Sequence, residues 1–154
     1  MKKLKIFCAM FLVCLLSTGA LVPSALAADV TDNTDAVVYF SDGSYLVTSI
    51  TYDSINTRQS VCQTAGKKHY DYYDSNHKLL WTFRAHGTFT YDGRSAEATS
   101  ADYSYDIYDS AWSFNGATAS YSGATSTAKG SFTLLIVPHS VTITLTCSPK
   151  GVLS

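Results

Sequence analysis

One stretch constrains the fold more than any other: Leu79 to Asp92 reads Leu-Leu-Trp-Thr-Phe-Arg-Ala-His-Gly-Thr-Phe-Thr-Tyr-Asp. Leu79, Trp81, Phe83, Ala85, Gly87, Phe89 and Tyr91 alternate with Thr82, Arg84, His86, Thr88, Thr90 and Asp92. Successive side chains of a strand point to opposite faces, so this segment offers one apolar face and one wet face. A helix would scatter both sets around its girdle. Fully extended, the run spans about 46 Å, long for a small domain, and Gly87 is the expected place for a bulge or bend.

The rest of the chain repeats the pattern in shorter pieces. Ala36 to Phe40 and Ser44 to Tyr52 read as strands around an Asp42-Gly43 turn, and Val61-Cys62 as a brief strand. Gly66 to Asp74 alternates imperfectly and turns through Asp74-Ser75-Asn76-His77 into the long strand. After the Asp92-Gly93 turn come weaker segments at Arg94 to Ser100, Tyr103 to Ile107, Ala111 to Phe114 and Ala117 to Tyr121. Ser131 to Val137 and Ser140 to Cys147 follow, with Pro138-His139 as the break between them. Val141, Ile143, Leu145 and Cys147 share a parity, which places that cysteine on a core face. About nine short strands separated by turn signals, with no amphipathic helix, predict an all-β antiparallel sandwich of immunoglobulin-like architecture; a small β-barrel is the alternative.

The first 27 residues predict a secretory signal. Lys2, Lys3 and Lys5 form a basic start, Ile6 to Val22 is apolar, and Ala25-Leu26-Ala27 supplies the small residues a signal peptidase reads. Cleavage after Ala27 makes the product extracellular, with residues 28–35 a flexible acidic leader and 36–154 a single domain. Cys14 follows Phe11-Leu12-Val13 inside the apolar run, which argues against a lipoprotein signal. No second apolar run approaches spanning length, so no membrane insertion of the mature chain is expected.

Removing the three signal lysines takes the net charge from −1 to −4. Binding a phosphate backbone draws on clustered Lys and Arg, and Lys67-Lys68 is the only pair, so nucleic acid is not an expected partner. Processing also leaves two cysteines, Cys62 and Cys147. In an oxidising compartment a disulfide between them is the expected state, closing a long loop for roughly 4 to 5 kcal/mol at most; two buried free thiols are the alternative.

The chain lacks the patterns of familiar chemistry. Glycoside hydrolysis needs two carboxylates flanking a cleft, but Glu97 is the sole Glu and Asp42, Asp53, Asp74, Asp92 and Asp109 sit in turn contexts. No G-x-S-x-G motif occurs, and His69, His77, His86 and His139 are tied to no Ser or Cys by spacing. Their separations name no metal site, although His69 and His86 could meet across a hairpin, and no cofactor is expected. The aspartates of the leader lack the glycine and closing glutamate of a calcium loop. The reading is therefore a non-enzyme and, by default, a monomer.

The surplus is aromatic: 11 Tyr and 2 Trp. Tyr70, Tyr72, Tyr73, Tyr103, Tyr105 and Tyr108 are interleaved with Asp and Ser, and a tyrosine offers a flat apolar body with a polar tip. They are the candidate binding residues for a glycan or an extracellular protein. The competing expectation is that Tyr, a favoured strand former, packs inward or across strands in a structural or envelope-associated domain without a specific ligand.

The run Leu80 to Gly93, the segment Tyr108-Asp109-Ser110-Ala111-Trp112, the Ser122 to Thr125 run and the terminal Leu145-Thr146-Cys147-Ser148 resemble a family of short secreted proteins of Gram-positive, gut-type Firmicutes with no assigned biochemical activity. The likeness extends from Gly43 onward through strand and turn motifs. It implies secretion and an all-β fold. Relatives of that kind carry a cysteine shortly after the Tyr-Asp-Gly turn, where this chain has Glu97-Ala98-Thr99, so the resemblance makes Cys62 a substitute partner for Cys147.

Overall fold

A computed structural model describes residues 36–54 and 62–154. The expected signal, acidic leader and calcium-loop reading, together with Val61, lie outside the described residues. Eight antiparallel strands are present: β1 Ala36–Tyr39, β2 Tyr45–Asp53, β3 Cys62–Tyr73, β4 Leu79–Tyr91, β5 Ala96–Ile107, β6 Trp112–Ser122, β7 Thr125–Leu134 and β8 Val137–Thr146. They form a five-stranded sheet in the order β1-β2-β3-β4-β5 and a three-stranded sheet in the order β6-β7-β8. Both sheets are plain meanders, and the chain passes between them once, from β5 to β6. The architecture is thus a β-sandwich of two packed antiparallel sheets, and among the described residues it lacks the Greek-key crossings of the expected immunoglobulin-like arrangement.

The alternation of β4 decides the layering. Phe83, Ala85 and Phe89 are fully buried and Trp81 is nearly so, while Arg84 and His86 lie half-buried on the outer face. Opposite them Ala128, Phe132, Ile143 and Leu145 line the inner face of the second sheet. Two clusters result. One gathers Trp81, Phe83, Trp112, Phe132 and Ile143; the other gathers Phe89, Ala98, Leu145, Cys147 and Leu153.

Turn chemistry placed the hairpins well. Gly43 and Gly93 adopt positive φ of 83° and 85°, as their Asp-Gly dipeptides require, and Asp92 Oδ1 accepts bonds from the Arg94 and Ser95 amides. Several boundaries differ from expectation: Cys62 continues through Gly66 to Tyr73 as one β3, the segments around Trp112 and Ala117 to Tyr121 are one β6, and β7 begins at Thr125 rather than Ser131. The two weak segments after Asp92-Gly93 are one continuous β5, and the last break falls at Leu135 and Ile136 rather than Pro138-His139. Pro138 is tolerated inside β8 because β8 is an edge strand, where a missing N–H faces no partner. The bulge lies not at Gly87 but one residue on, where Thr88 and Phe89 face Ser100 and Ala98 and leave Thr99 over. Gly87 instead allows close approach: a Cβ there would stand 2.6 Å from the Phe89 ring.

The structure does not form the expected disulfide between Cys62 and Cys147. Both are free thiols, Cys62 exposed at the start of β3 and Cys147 buried at the end of β8. Parity places both on inward faces at the same end of the sandwich, but parity does not fix what fills the space between two sheets. Cys62 shares a rung with Tyr91, and Cys147 packs beside Phe89 and Ala98. Cys147 bridges to Leu153, whose side chain lies over Gly66 and fills the space beside the thiol. Peptide-resolved alkylation should label Cys62 in the native protein and Cys147 only after unfolding, because burial also raises the Cys147 thiol pKa. A reductant should leave the unfolding midpoint unchanged; a drop of several degrees would show that a bond exists.

Candidate functional site

The six candidate tyrosines do not share one exposed face. Tyr70 and Tyr72 lie inward on β3, on rungs with Phe83 and Trp81. Tyr103 and Tyr105 lie on the inner face of β5, at the opposite flank of the core, where Tyr105 stacks on Phe114 at 3.7 Å between centroids. Tyr73 is on the outer face, stacked at 4.9 Å on Tyr45, and Tyr108 is exposed in the β5 to β6 loop. Only Tyr70 and Tyr72 come together at a cavity.

That cavity is a cleft of approximately 490 Å³ at the open edge of the sandwich. It exists because the sheets are unequal. β8 packs across β3 and β4, while β1 and β2 run past it and meet no strand of the second sheet. Leu46, Tyr70, Tyr72 and Trp81 from the first sheet and Trp112, Phe132 and Val141 from the second form the apolar walls. Phe40, Ser41, Asp42, Ser44, His139, Ser140 and Thr142 form the rim.

The walls are ordered by ring packing. Tyr72, Trp81 and Phe132 form a three-ring stack, with centroids 5.1 Å and 4.5 Å apart. Tyr72 meets Phe40 at 62° and Trp112 at 72°, so the mouth is a corner of nearly perpendicular rings. The tyrosine hydroxyl donates to Ser44 Oγ at 2.8 Å, and the Ser44 hydroxyl and amide both donate to Asp42 Oδ1, at 2.6 Å and 3.0 Å. These bonds hold the Asp42 carboxyl below its ordinary pKa of 3.8, so the rim carries a fixed negative charge at neutral pH. Among the described residues, Trp81 Nε1 in the cleft wall is the one buried side-chain polar atom without a hydrogen-bond partner. A buried donor left unpaired costs about 1 to 3 kcal/mol, an expense that a purely structural core tends to avoid.

Sequence reasoning named Tyr70 and Tyr72 but missed the rest of the cleft. Asp42 read as a turn residue, which it is, and nothing local distinguishes Phe40, Trp112 or His139 as wall and rim. No protein-family model matches the chain, and no curated protein or solved structure is similar to it. The cleft's chemistry therefore has to be read from its own residues.

The outer face of the first sheet is the other polar concentration. His69 Nδ1 accepts from Arg84 Nε at 3.2 Å, and its Nε2 lies 2.9 Å from Thr51 Oγ1. An arginine nitrogen can only donate, so the His69 proton sits on Nε2 and points at Thr51. Arg84 also reaches Asp106 at 2.6 Å, and His86 Nε2 bonds Ser104 Oγ at 2.8 Å. His69 and His86 thus lie near one another but answer to different partners, and no group of three metal-ligating residues occurs among the described residues.

Burial, helped by Arg84 for His69 and by Lys67 for His86, pushes both imidazoles below their ordinary pKa of 6.5. The unfolded chain then binds more protons than the folded one near that value, so stability rises with pH there and falls on acidification. Chemical denaturation should give a lower midpoint at about pH 5 than at about pH 8, and His69→Gln should narrow the gap. A midpoint flat across that window would contradict the assignment.

Proposed function

We propose that this chain is a secreted, ligand-binding β-sandwich module whose site is the aromatic cleft between the β1 to β2 turn and β8. The observation that carries this reading is the cleft itself: an apolar, ring-lined cavity of ligand size with a few oriented polar groups at its rim. Secretion rests on the signal-like start of the sequence, and the ligand is correspondingly a group displayed on an extracellular glycan or protein. No helix of the described residues is long and apolar enough to cross a membrane.

A second reading, a structural extracellular domain without a specific ligand, draws support from Tyr103, which packs on the core beside Phe114. The two readings diverge at Leu46, which lines the cleft and touches the larger core cluster only from its edge, so that its enlargement fills the cleft. A glycan array and binding to isolated extracellular polymers should show retention by the wild-type protein and loss with a folded Leu46→Trp variant. Retention of nothing by the wild type would sink the binding module and leave the structural domain.

A further inference from the structure

We infer that the cleft takes a quaternary ammonium group, seated in the corner of Phe40 and Tyr72 with the Asp42 carboxylate beside it; this rests on the binding-module reading of the same cleft. Shape is the first argument. A sugar ring stacks best on a broad, uncovered aromatic face, but Trp81 is covered on both sides by Tyr72 and Phe132, and Trp112 is 6% exposed. What the mouth offers instead is the exposed Phe40 ring set at 62° to Tyr72, with the buried Trp112 packed on Tyr72 at 72°. Such a corner fits a compact, near-spherical group better than a flat one.

Charge is the second argument. No Lys or Arg lines the cleft, Asp42 is its only carboxylate, and His139, packed on Trp112, is the one lining side chain able to carry positive charge. Aromatic faces carry negative potential and attract cations, most strongly where water is displaced. The carboxylate adds to that field from a fixed position, since Ser44 ties Asp42 Oδ1 to the hydroxyl of Tyr72, one of the two rings. Oδ2 has no protein partner among the described contacts. An anionic group would face the opposite field.

Hydrogen-bonding capacity separates a quaternary ammonium from a primary one. A lysine ammonium brings three N–H donors that need acceptors when water is stripped away. The walls, made of Leu46, Trp112, Phe132 and Val141 with the rings, supply almost none; the acceptors stand at the rim, on Ser41, Asp42, Ser44, His139, Ser140 and Thr142. An alkylated ammonium presents charge through methyl groups and has no donor to leave unsatisfied.

The test is an NMR and tryptophan-fluorescence titration of the full chain with choline, with its uncharged isostere 3,3-dimethyl-1-butanol, and with a primary amine. Choline should shift the Trp112 indole resonance and bind about 3- to 30-fold more tightly than the isostere. Asp42→Asn should weaken choline several-fold and leave the isostere unaffected. Phosphocholine on a glycan or lipid and a trimethyl-lysine peptide distinguish the carriers, and the tighter of the two names the source. Equal binding of choline and isostere would overturn the ammonium assignment while leaving the cleft as a ligand site. No shift with any probe would also overturn it, and the Leu46→Trp comparison on extracellular polymers would then decide the module reading separately.

Discussion

Replacing Trp81 with alanine should cost about 3 to 5 kcal/mol of folding stability, measured by urea denaturation. Trp81 is 5% exposed and sits in the middle of a ring stack, 5.1 Å from Tyr72 and 4.5 Å from Phe132, with Trp112 edge-on at 6.0 Å. Truncation would remove the ring that joins the two sheets and open a cavity continuous with the cleft. Trp81→Phe provides an informative comparison. The indole nitrogen has no partner, so phenylalanine sacrifices volume but no hydrogen bond and should cost much less than alanine. A Trp81→Ala variant within about 1 kcal/mol of wild type would refute the core assignment.

Gly66→Ala should be nearly as damaging for the opposite reason, by adding a single methyl group where none fits. A Cβ at Gly66 would lie 2.5 Å from Thr51 O on the neighbouring strand and 2.5 Å from Leu153 Cδ1. The leucine can rotate away, but the carbonyl belongs to the β2 to β3 ladder and cannot move without breaking it. Overpacking of this kind costs about 1 to 3 kcal/mol, and here the backbone contact puts the expectation at the upper end. Combining Gly66→Ala with Leu153→Ala should restore only part of the loss, since Thr51 O remains. Full restoration in a double-mutant cycle would show that Leu153 alone carries the clash.

The difference between these two positions also marks how far the sequence could be read. The role of Trp81 was visible because it sits in an unbroken alternation from Leu79 to Tyr91, and the alternation assigns every side chain a face. That of Gly66 was not, because the atoms it accommodates come from Thr51 on one side and Leu153 at the other end of the chain. The aspartates followed the same division. Asp42 and Asp92 were legible as turn residues from the glycine after each, and both do accept local backbone bonds. That Asp42 also reaches Tyr72 through Ser44 depends on which turn lies over which strand.

The cysteines show where pattern alone misleads. Cys62 and Cys147 both have inward parity, and in a chain with a signal-like start an even pair invites the expectation of a bridge. Leu153 intervenes because the segment after β8 folds back, with Thr146 and Ser154 exchanging backbone bonds at 2.9 Å. The tyrosines differ in the same way. Tyr70, Tyr72, Tyr103 and Tyr105 share an inner face, yet two of them border a cavity, Tyr103 packs on the core, and Tyr105 stays exposed over Phe114.

By itself the sequence determined the strand period, the hairpin turns and the inward face of the long strand, because each is set by residues adjacent in the chain and by the two-residue repeat of extended backbone. Only the tertiary structure decided that five strands face three, leaving β1 and β2 uncovered and a ring-lined cleft beside β8. That outcome rests on how far one sheet extends past the other and on contacts between Phe40, Tyr72, Trp112 and His139, which belong to four different elements. Local patterning fixes a side chain's direction, and the packing of the two sheets fixes what it meets.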